Sequence, residues 1–213
     1  MDIIRFFAGN PEYETDRLLL RKLLPKDACD MFAYARLPET SKYLLWEPHP
    51  SETYTLDLIR YLQKEYTTGR YSDFAIILKE NSKMIGTVGF TSYDDKNKVA
   101  EVGYVISPEY WHRGIATEAL SAILGIAFNE LKAERVEAKY MPENIYSRCV
   151  MEKCHMQYEG TARKKMLVKG KHRDIAYCAI LKDEFLTGFS EKNYISVGKL
   201  SRLRHYFDFY NKN

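Results

Sequence analysis

The sequence predicts an α/β fold of the mixed (α+β) kind, in which a largely antiparallel sheet of about seven strands carries helices on both faces. Three apolar runs in the middle of the chain are joined by polar turns that are short enough only for antiparallel neighbours. Other segments show apolar residues at helical spacing. Because strands and helices alternate in only part of the chain, a doubly wound parallel sheet is excluded.

The N-terminal half is predicted to supply one strand, two helices and then three strands. Residues 17–24 (RLLLRKLL) are apolar enough for a strand, and Pro25 suits the start of a helix that continues to about residue 36. A second helix is predicted over residues 51–68, with Ser51 as its N-cap. The strands that follow are predicted over residues 72–79, 84–93 and 99–106.

The C-terminal half begins with a helix predicted over residues 114–131, whose apolar residues are spaced to give one buried face. A strand over residues 133–140 and a short helix over residues 144–154 come next. The last predicted elements are the two strands of a hairpin, residues 158–169 and 173–182, which turns at Lys169-Gly170-Lys171.

Composition and charge indicate a globular domain with a basic extension. The chain has 213 residues, 46% of them hydrophobic and 29% charged, and its net charge is +3. Residues 190–213 hold five basic and two acidic residues, so the whole net charge lies there. We therefore expect a domain over residues 1–189 and a basic C-terminal extension over 190–213, with a short amphipathic helix over 197–210. The extension is expected to dock on the domain, the alternatives being a second copy of the chain (a homodimer) or an acidic partner.

The same features argue against several classes of protein. The charge-balanced body does not suit a nucleic-acid-binding protein. No apolar run reaches the roughly 18 residues needed to span a bilayer, and the N-terminus lacks the pattern of a signal peptide. The cysteines are scattered, and the spacing of Cys149, Cys154 and His155 does not match a zinc site. We therefore expect reduced, mostly buried thiols, no metal and a cytoplasmic location.

The strongest functional signal is the junction EVGYVISPEYWHRGIATEAL (residues 101–120), where a strand leads through a loop directly into a helix. The unpaired amides at a helix start carry partial positive charge and can bind a phosphate. Gly114 and Ala116 leave the backbone accessible there, and Arg113 adds positive charge. A plain tight turn is the alternative, since the junction matches neither the three-glycine dinucleotide fingerprint nor the P-loop.

Two further positions suggest a site. Glu101 lies inside the strand 99–106 on a face that is otherwise small and apolar, so it is either a catalytic base or a structural carboxylate. Asn144 begins a helix and Ser147 follows one turn later. A bare N-cap is the alternative for Asn144.

Together these segments resemble the GNAT superfamily of acyl-CoA-dependent N-acetyltransferases, and within it the RimJ/RimL-like branch. Residues 14–24 (ETDRLLLRKLL) are similar to the opening strand of that branch, and residues 101–120 to its motif A. The segment NIYSRCVMEKCHM is similar to motif B, and GTARKKMLVKGKHRDIAYCAIL to the closing hairpin. The chain departs from the family where motif B ends without its usual glycine, and where His112 stands at a position often occupied by glycine.

The resemblance implies that acetyl-CoA is the cosubstrate. Its pantetheine arm would pair with the backbone of Tyr104, Val105 and Ile106, and an amide near Val105 or Ile106 would polarise the thioester carbonyl. Asn144 and Ser147 would contact the pantetheine or the sulfur. The pyrophosphate would lie on the backbone amides of the loop and the first helical turn, namely those of His112, Arg113, Gly114, Ile115, Ala116 and Thr117.

The resemblance also implies that a neutral amine attacks the thioester. Glu101 is the expected general base, directly or through a water. Ser147 is expected to protonate or hydrogen-bond the leaving thiolate, with Tyr146 as the competing donor. Glu118 is expected to have a structural role at the helix start, and His112 to contact phosphate or solvent instead of acting as a base.

The resemblance gives the acceptor only as a class. In this branch the acceptor is a protein N-terminal α-amine (ribosomal proteins included), a polyamine or an antibiotic amine. Segment 40–55, expected beside the acceptor groove, offers two acidic residues among aromatic ones, which fits a peptide and a small amine about equally. A protein or peptide amine is our first prediction and a small-molecule amine the second. A non-catalytic acyl-CoA-binding sensor, or an RNA-associated protein using the basic hairpin and extension, are the alternatives from other classes.

Overall fold

The computed structural model describes residues 3–188, which form one sheet and seven α-helices within that range. The strands are Tyr13–Glu14 (β1), Leu18–Arg21 (β2), Asp73–Leu78 (β3), Lys83–Asp94 (β4), Val99–Ile106 (β5), Arg135–Tyr140 (β6), Gln157–Val168 (β7) and Lys171–Leu181 (β8). The helices are Ile3–Ala8 (α1), Ala28–Ala35 (α2), Pro38–Ser41 (α3), Glu52–Glu65 (α4), Ile115–Asn129 (α5), Ile145–Lys153 (α6) and Lys182–Gly188 (α7). The helix predicted over residues 197–210 lies outside the described residues.

The strands form an eight-stranded sheet in the order β1-β2-β3-β4-β5-β6-β8-β7. Every neighbouring pair is antiparallel except β5 and β6, which run parallel. The prediction of a mixed, largely antiparallel sheet is therefore confirmed. The strand beyond the predicted seven is β1, whose two residues are too few to show a periodic pattern.

Helices cover both faces of this sheet, as predicted. On one face α5 packs on the side chains of Phe74, Ile76 and Val88 and forms the larger core with α6. On the other face α2 and α4 pack on Ala75 and Ile77. The prediction that α5 has a single buried face is wrong, because buried residues surround most of this helix, including Ala119, Ala122, Ile123, Leu124, Gly125 and Ile126.

Local signals explain where several elements begin and turn. Ser51 caps α4, since its hydroxyl accepts a hydrogen bond from the Tyr54 amide at 3.1 Å. Residues 25–27 form a 3₁₀ turn ahead of α2. The hairpin turns at Lys169 and Gly170, whose φ angles of 49° and 73° are those of a two-residue type I′ turn.

The N-terminal helix α1 was not predicted, and it completes the larger core. The ring of Phe7 lies 5.0 Å from that of Phe74 and 5.4 Å from that of Tyr66, and Phe7 is fully buried. The short helices α3 and α7 were also missed. The expectation of mostly buried thiols is wrong for half of them, since the cysteines are all free but two are exposed, namely Cys29 and Cys149.

Candidate active site

The start of α5 presents unpaired backbone amides. Gly114 is its N-cap residue and adopts a left-handed conformation, with φ of 75°. The first hydrogen bond of the helix runs from the Glu118 amide to the Gly114 carbonyl at 3.0 Å. The amides of Ile115, Ala116 and Thr117 therefore have no partner within the helix and carry its partial positive charge. We call these three amides the amide cradle.

Side chains from elsewhere in the fold fix the loop ahead of the cradle. The indole of Trp111 donates to the Ile106 carbonyl at 2.8 Å, and Arg17 donates to the Arg113 carbonyl at 2.9 Å. The ring of His112 meets that of Tyr146 edge-on at 4.9 Å, which joins the loop to the start of α6. The predicted phosphate-loop residues thus lie together on one continuous turn.

Glu118, in the first turn of α5, forms hydrogen bonds with the turn between β1 and β2. Its carboxylate accepts hydrogen bonds from the Thr15 hydroxyl, the Arg17 amide and the Arg17 guanidinium, the last at 2.6 Å. These contacts attach the β1–β2 turn to the helix start. The structural role expected for Glu118 is confirmed.

Strands β5 and β6 pair along only half of β5. Their parallel register covers Val99 to Val102, and beyond that point β6 no longer pairs with β5. Because the Ser107 amide bonds to Ile85 on β4, the alternation of the backbone directs the amides of Tyr104 and Ile106 away from β4. We call the space beside Gly103–Ile106 the β5–β6 gap. Of the two amides proposed to polarise a carbonyl there, Ile106 faces the gap and Val105 faces β4.

Ser147 and the side chain of Tyr104 meet at the rim of the gap. The Tyr104 hydroxyl lies 2.9 Å from the Ser147 hydroxyl and 3.0 Å from its carbonyl oxygen. Burial raises the pKa of Tyr104, so the phenol stays protonated and can act as a donor. Asn144 accepts from the Ser147 amide at 3.3 Å and is therefore the N-cap of α6. The pairing of Tyr104 with Ser147 was not predicted, because only the Tyr104 backbone had been assigned a role.

Glu101 lies on the opposite face of β5 from Tyr104 and is held by two side chains. A bulge in β4 after Phe90 brings the Thr91 hydroxyl to 2.5 Å from one carboxylate oxygen. The Lys139 ammonium, from β6, lies 2.8 and 3.1 Å from the two oxygens. The side chain of Tyr104 and its partner Ser147 thus lie on one face of β5, and Glu101 lies on the other face. The β5–β6 gap opens along the edge of the strand between these two faces.

Comparison with known proteins shows which family this chain belongs to. The family model of the acetyltransferase (GNAT) domain matches residues 17–157. The chain belongs to the GNAT acetyltransferase family. It is 34% identical over 171 residues to the uncharacterized N-acetyltransferase p20 of Bacillus licheniformis, a match covering 80% of this chain and 96% of that protein. It is 25% identical to the ribosomal protein uS5-alanine N-acetyltransferase of Escherichia coli, with coverages of 82% and 92%.

The sheet and helices also match solved GNAT structures. A GNAT-family acetyltransferase from Bacillus anthracis aligns with a TM-score of 0.73 at 30% identity, covering 82% of this chain and all of that one. The protein is an acetyl-CoA-dependent N-acetyltransferase, as the sequence analysis predicted. Within residues 3–188, no helix is long and apolar enough to cross a membrane, and no group of three or more potential ligands could hold a metal ion.

The segment expected beside the acceptor in this GNAT chain is tied to the closing hairpin. The Lys169 ammonium, at the hairpin turn, donates to the Ser41 carbonyl at 2.9 Å and lies 3.3 Å from the Glu47 carboxylate. His49 is buried, and its ring lies 2.9 Å from the Thr55 hydroxyl and 5.2 Å from the rings of Trp46 (tilted) and Tyr54 (edge-on). Desolvation lowers the pKa of His49, so this side chain is neutral at pH 7 and adds no charge to the segment expected beside the acceptor.

Replacing Tyr104 by phenylalanine is expected to lower the free energy of unfolding by about 0.5–1.5 kcal/mol, because the contact with Ser147 is lost. Tyr146→Phe is the matched control, since that tyrosine is exposed and lies on α6 next to Ser147. Urea unfolding of both variants measures the difference. Equal losses of stability for the two would contradict a stabilising role of the Tyr104–Ser147 contact.

Proposed function

We propose that this GNAT enzyme acetylates the α-amino group of a protein or peptide N-terminus. The observation that carries the proposal is the β5–β6 gap, which lies beside both the amide cradle and the Tyr104–Ser147 pair. The cradle would hold the pyrophosphate of acetyl-CoA. The backbone of Tyr104 would pair with the pantetheine, and the side chains of Asn144 and Ser147 would contact it. The Ile106 amide would face the thioester carbonyl.

In the proposed acetyl transfer, one proton transfer takes place on each face of β5. Glu101 takes a proton from the acceptor ammonium, through a water, which leaves a neutral amine. As the nitrogen bonds to the acetyl carbon, the Ile106 amide donates a hydrogen bond to the carbonyl oxygen. The carbon–sulfur bond breaks, Ser147 donates a proton to the sulfur, and Ser147 regains one from the new amide nitrogen through water.

Three considerations favour an N-terminal amine. An α-amine of pKa about 8 needs only about 1.4 kcal/mol to lose its proton at pH 7, whereas a lysine amine needs about 4.6 kcal/mol. A polyamine would need several free carboxylates, yet of the two acidic residues in the acceptor segment Glu47 is already paired with Lys169, which leaves only Glu52. The relative that acts on uS5-alanine, by its name, modifies a protein amine.

Three acceptors test the proposal. They are a peptide with a free N-terminus, the same peptide N-acetylated but containing a lysine, and a polyamine. We expect acetyl-CoA to stabilise the protein by about 2.7 kcal/mol at 100 times its Kd, and thiol release to be fast with the first acceptor alone. Faster turnover of the polyamine would overturn the assignment of the acceptor. Stabilisation without thiol release from any amine would indicate an acyl-CoA-binding protein instead.

A further inference from the structure

Asp73, the first residue of β3, carries a carboxylate without a counter-charge. Among residues 3–188, no side chain or amide forms a hydrogen bond or ion pair with its carboxylate; the Tyr66 hydroxyl donates to its main-chain carbonyl at 2.6 Å. The side chain remains partly accessible, yet the packed atoms around it exclude enough water to raise the pKa of Asp73 to about 7. Such a carboxylate is costly to keep unless a cation binds to it.

The sheet register places Asp73 two strand spacings from the edge of the β5–β6 gap, on a row of residues that leads to it. Asp73 pairs with Gly89 on β4, and Gly89 pairs with Gly103 on β5, so the three residues form one row across the sheet. Two strand spacings separate the Cα atoms of Asp73 and Gly103, about 10 Å. The row lies on the α2/α4 face, because side chains alternate along β5 and Val105 packs there.

The two glycines place no side chain on the row between Asp73 and the gap. A Cβ atom at Gly89 would lie 2.3 Å from the Asp73 Cα, 2.4 Å from the Ser72 carbonyl oxygen and 2.6 Å from an Asp73 carboxylate oxygen, so the carboxylate lies directly against Gly89. At Gly103 the nearest atom to such a Cβ is the Thr91 methyl group, at 3.1 Å. The floor between the carboxylate and the end of the β5–β6 pairing is therefore bare backbone.

The cationic side chains on the surrounding elements already have other partners. Arg21 makes two hydrogen bonds of 2.7 Å to Asp27, and Lys139 is paired with Glu101. The Lys22 ammonium lies over the ring of Tyr66. The other titratable groups facing Asp73 are tyrosines, Tyr34 from α2, Tyr66 at the end of α4, and Tyr71.

We propose that Asp73 binds the protonated amino group of the acceptor, an inference that rests on the proposed function and deepens it. An ammonium bound to Asp73 lies over Gly89, one strand spacing short of Gly103. The acceptor is thus held on the row that leads to the gap, where its amine gives up a proton and reaches the thioester. Charge selects the substrate class: primary amines that are cationic at neutral pH bind, and uncharged amines do not gain from the carboxylate. Asp73 positions the acceptor, and Glu101 keeps its role as the base.

The test compares wild type with Asp73→Asn, which keeps the shape and removes the charge. Calorimetry measures the Kd of a short peptide with a free N-terminal alanine, titrated into protein saturated with CoA, so that no turnover is needed. We expect the Kd, and the KM of the same peptide in the thiol-release assay, to rise about 10- to 100-fold, since a hydrogen-bonded charge contact is lost. The KM for acetyl-CoA should not change.

Two controls distinguish the outcomes. The N-acetylated peptide lacks the positive charge, so its Kd should be the same for wild type and variant, and Glu80→Gln, just beyond the other end of β3, should change nothing. An unchanged Kd for the free peptide in Asp73→Asn, an equal loss for both peptides, or no binding by wild type would overturn the inference. Binding that depends on Asp73 without any thiol release would sustain it and refute the proposed function.

Discussion

Replacing Glu101 by glutamine is expected to lower kcat about 100- to 10,000-fold, the usual contribution of a general base, while the KM for acetyl-CoA stays the same. Glutamine keeps the shape of the side chain and can still accept from the Thr91 hydroxyl, but it cannot take a proton from the amine. The ion pair with Lys139 is partly exposed, so its loss should change the free energy of unfolding by about 1 kcal/mol or less.

Glu137 supplies the matched control for this experiment. It is the register partner of Glu101 on β6, points to the same face and is paired with Arg135 at 2.6 Å. Glu137→Gln therefore removes a carboxylate from the same surface without touching the proposed base. Steady-state thiol release at saturating acetyl-CoA measures both variants. A similar kcat for Glu101→Gln and Glu137→Gln would show that Glu101 is a structural carboxylate.

Asp73→Asn is expected to stabilise the protein at pH 8 by about 2–4 kcal/mol and to have little effect at pH 4. The pKa of Asp73 rises from 3.8 to about 7 on folding, so between these values the folded state holds a proton that the unfolded chain releases. The stability that this bound proton gives the wild-type protein is fully present below pH 3.8. It is lost as the pH rises to 7, at about 1.4 kcal/mol per pH unit. Asparagine has no proton to lose.

Urea unfolding at the two pH values measures this effect. The neighbouring tyrosines do not interfere, because burial raises the pKa of Tyr34, Tyr66 and Tyr71 and keeps them neutral over the range. The Arg21–Asp27 pair is common to both proteins. If the stability difference between Asp73→Asn and wild type were the same at pH 4 and pH 8, the raised pKa of Asp73 would be contradicted. A gain in stability with a loss of acceptor binding is typical of a residue retained for function.

The sequence predicted those parts of the site that depend on neighbouring residues. The alternation along β5 placed Glu101 on one face, and Gly114 with the apolar spacing after it predicted the start of α5. The N-cap at Ser51 followed from residue type alone. In each case the physical cause lies within one turn or one strand, so a local pattern can show it.

The parts that could not be predicted depend on pairing between distant segments. The significance of Asp73 follows from its register with Gly89 and Gly103, which no local pattern reveals. The Tyr104–Ser147 contact joins residues 43 positions apart. The gap itself exists because β6 stops pairing after Val102, a property of two strands separated by a whole helix.

The basic run of the closing hairpin also has a consequence for solubility. Strand β7 is the last strand of the sheet in the described residues, and its pairing with β8 shifts between Ala162 and Met166. Arg163, Lys164 and Lys165 are exposed at this bulge. Charge and irregularity on an outer strand prevent another sheet from adding to it, so these cations protect the enzyme from edge-to-edge aggregation whatever its acceptor is.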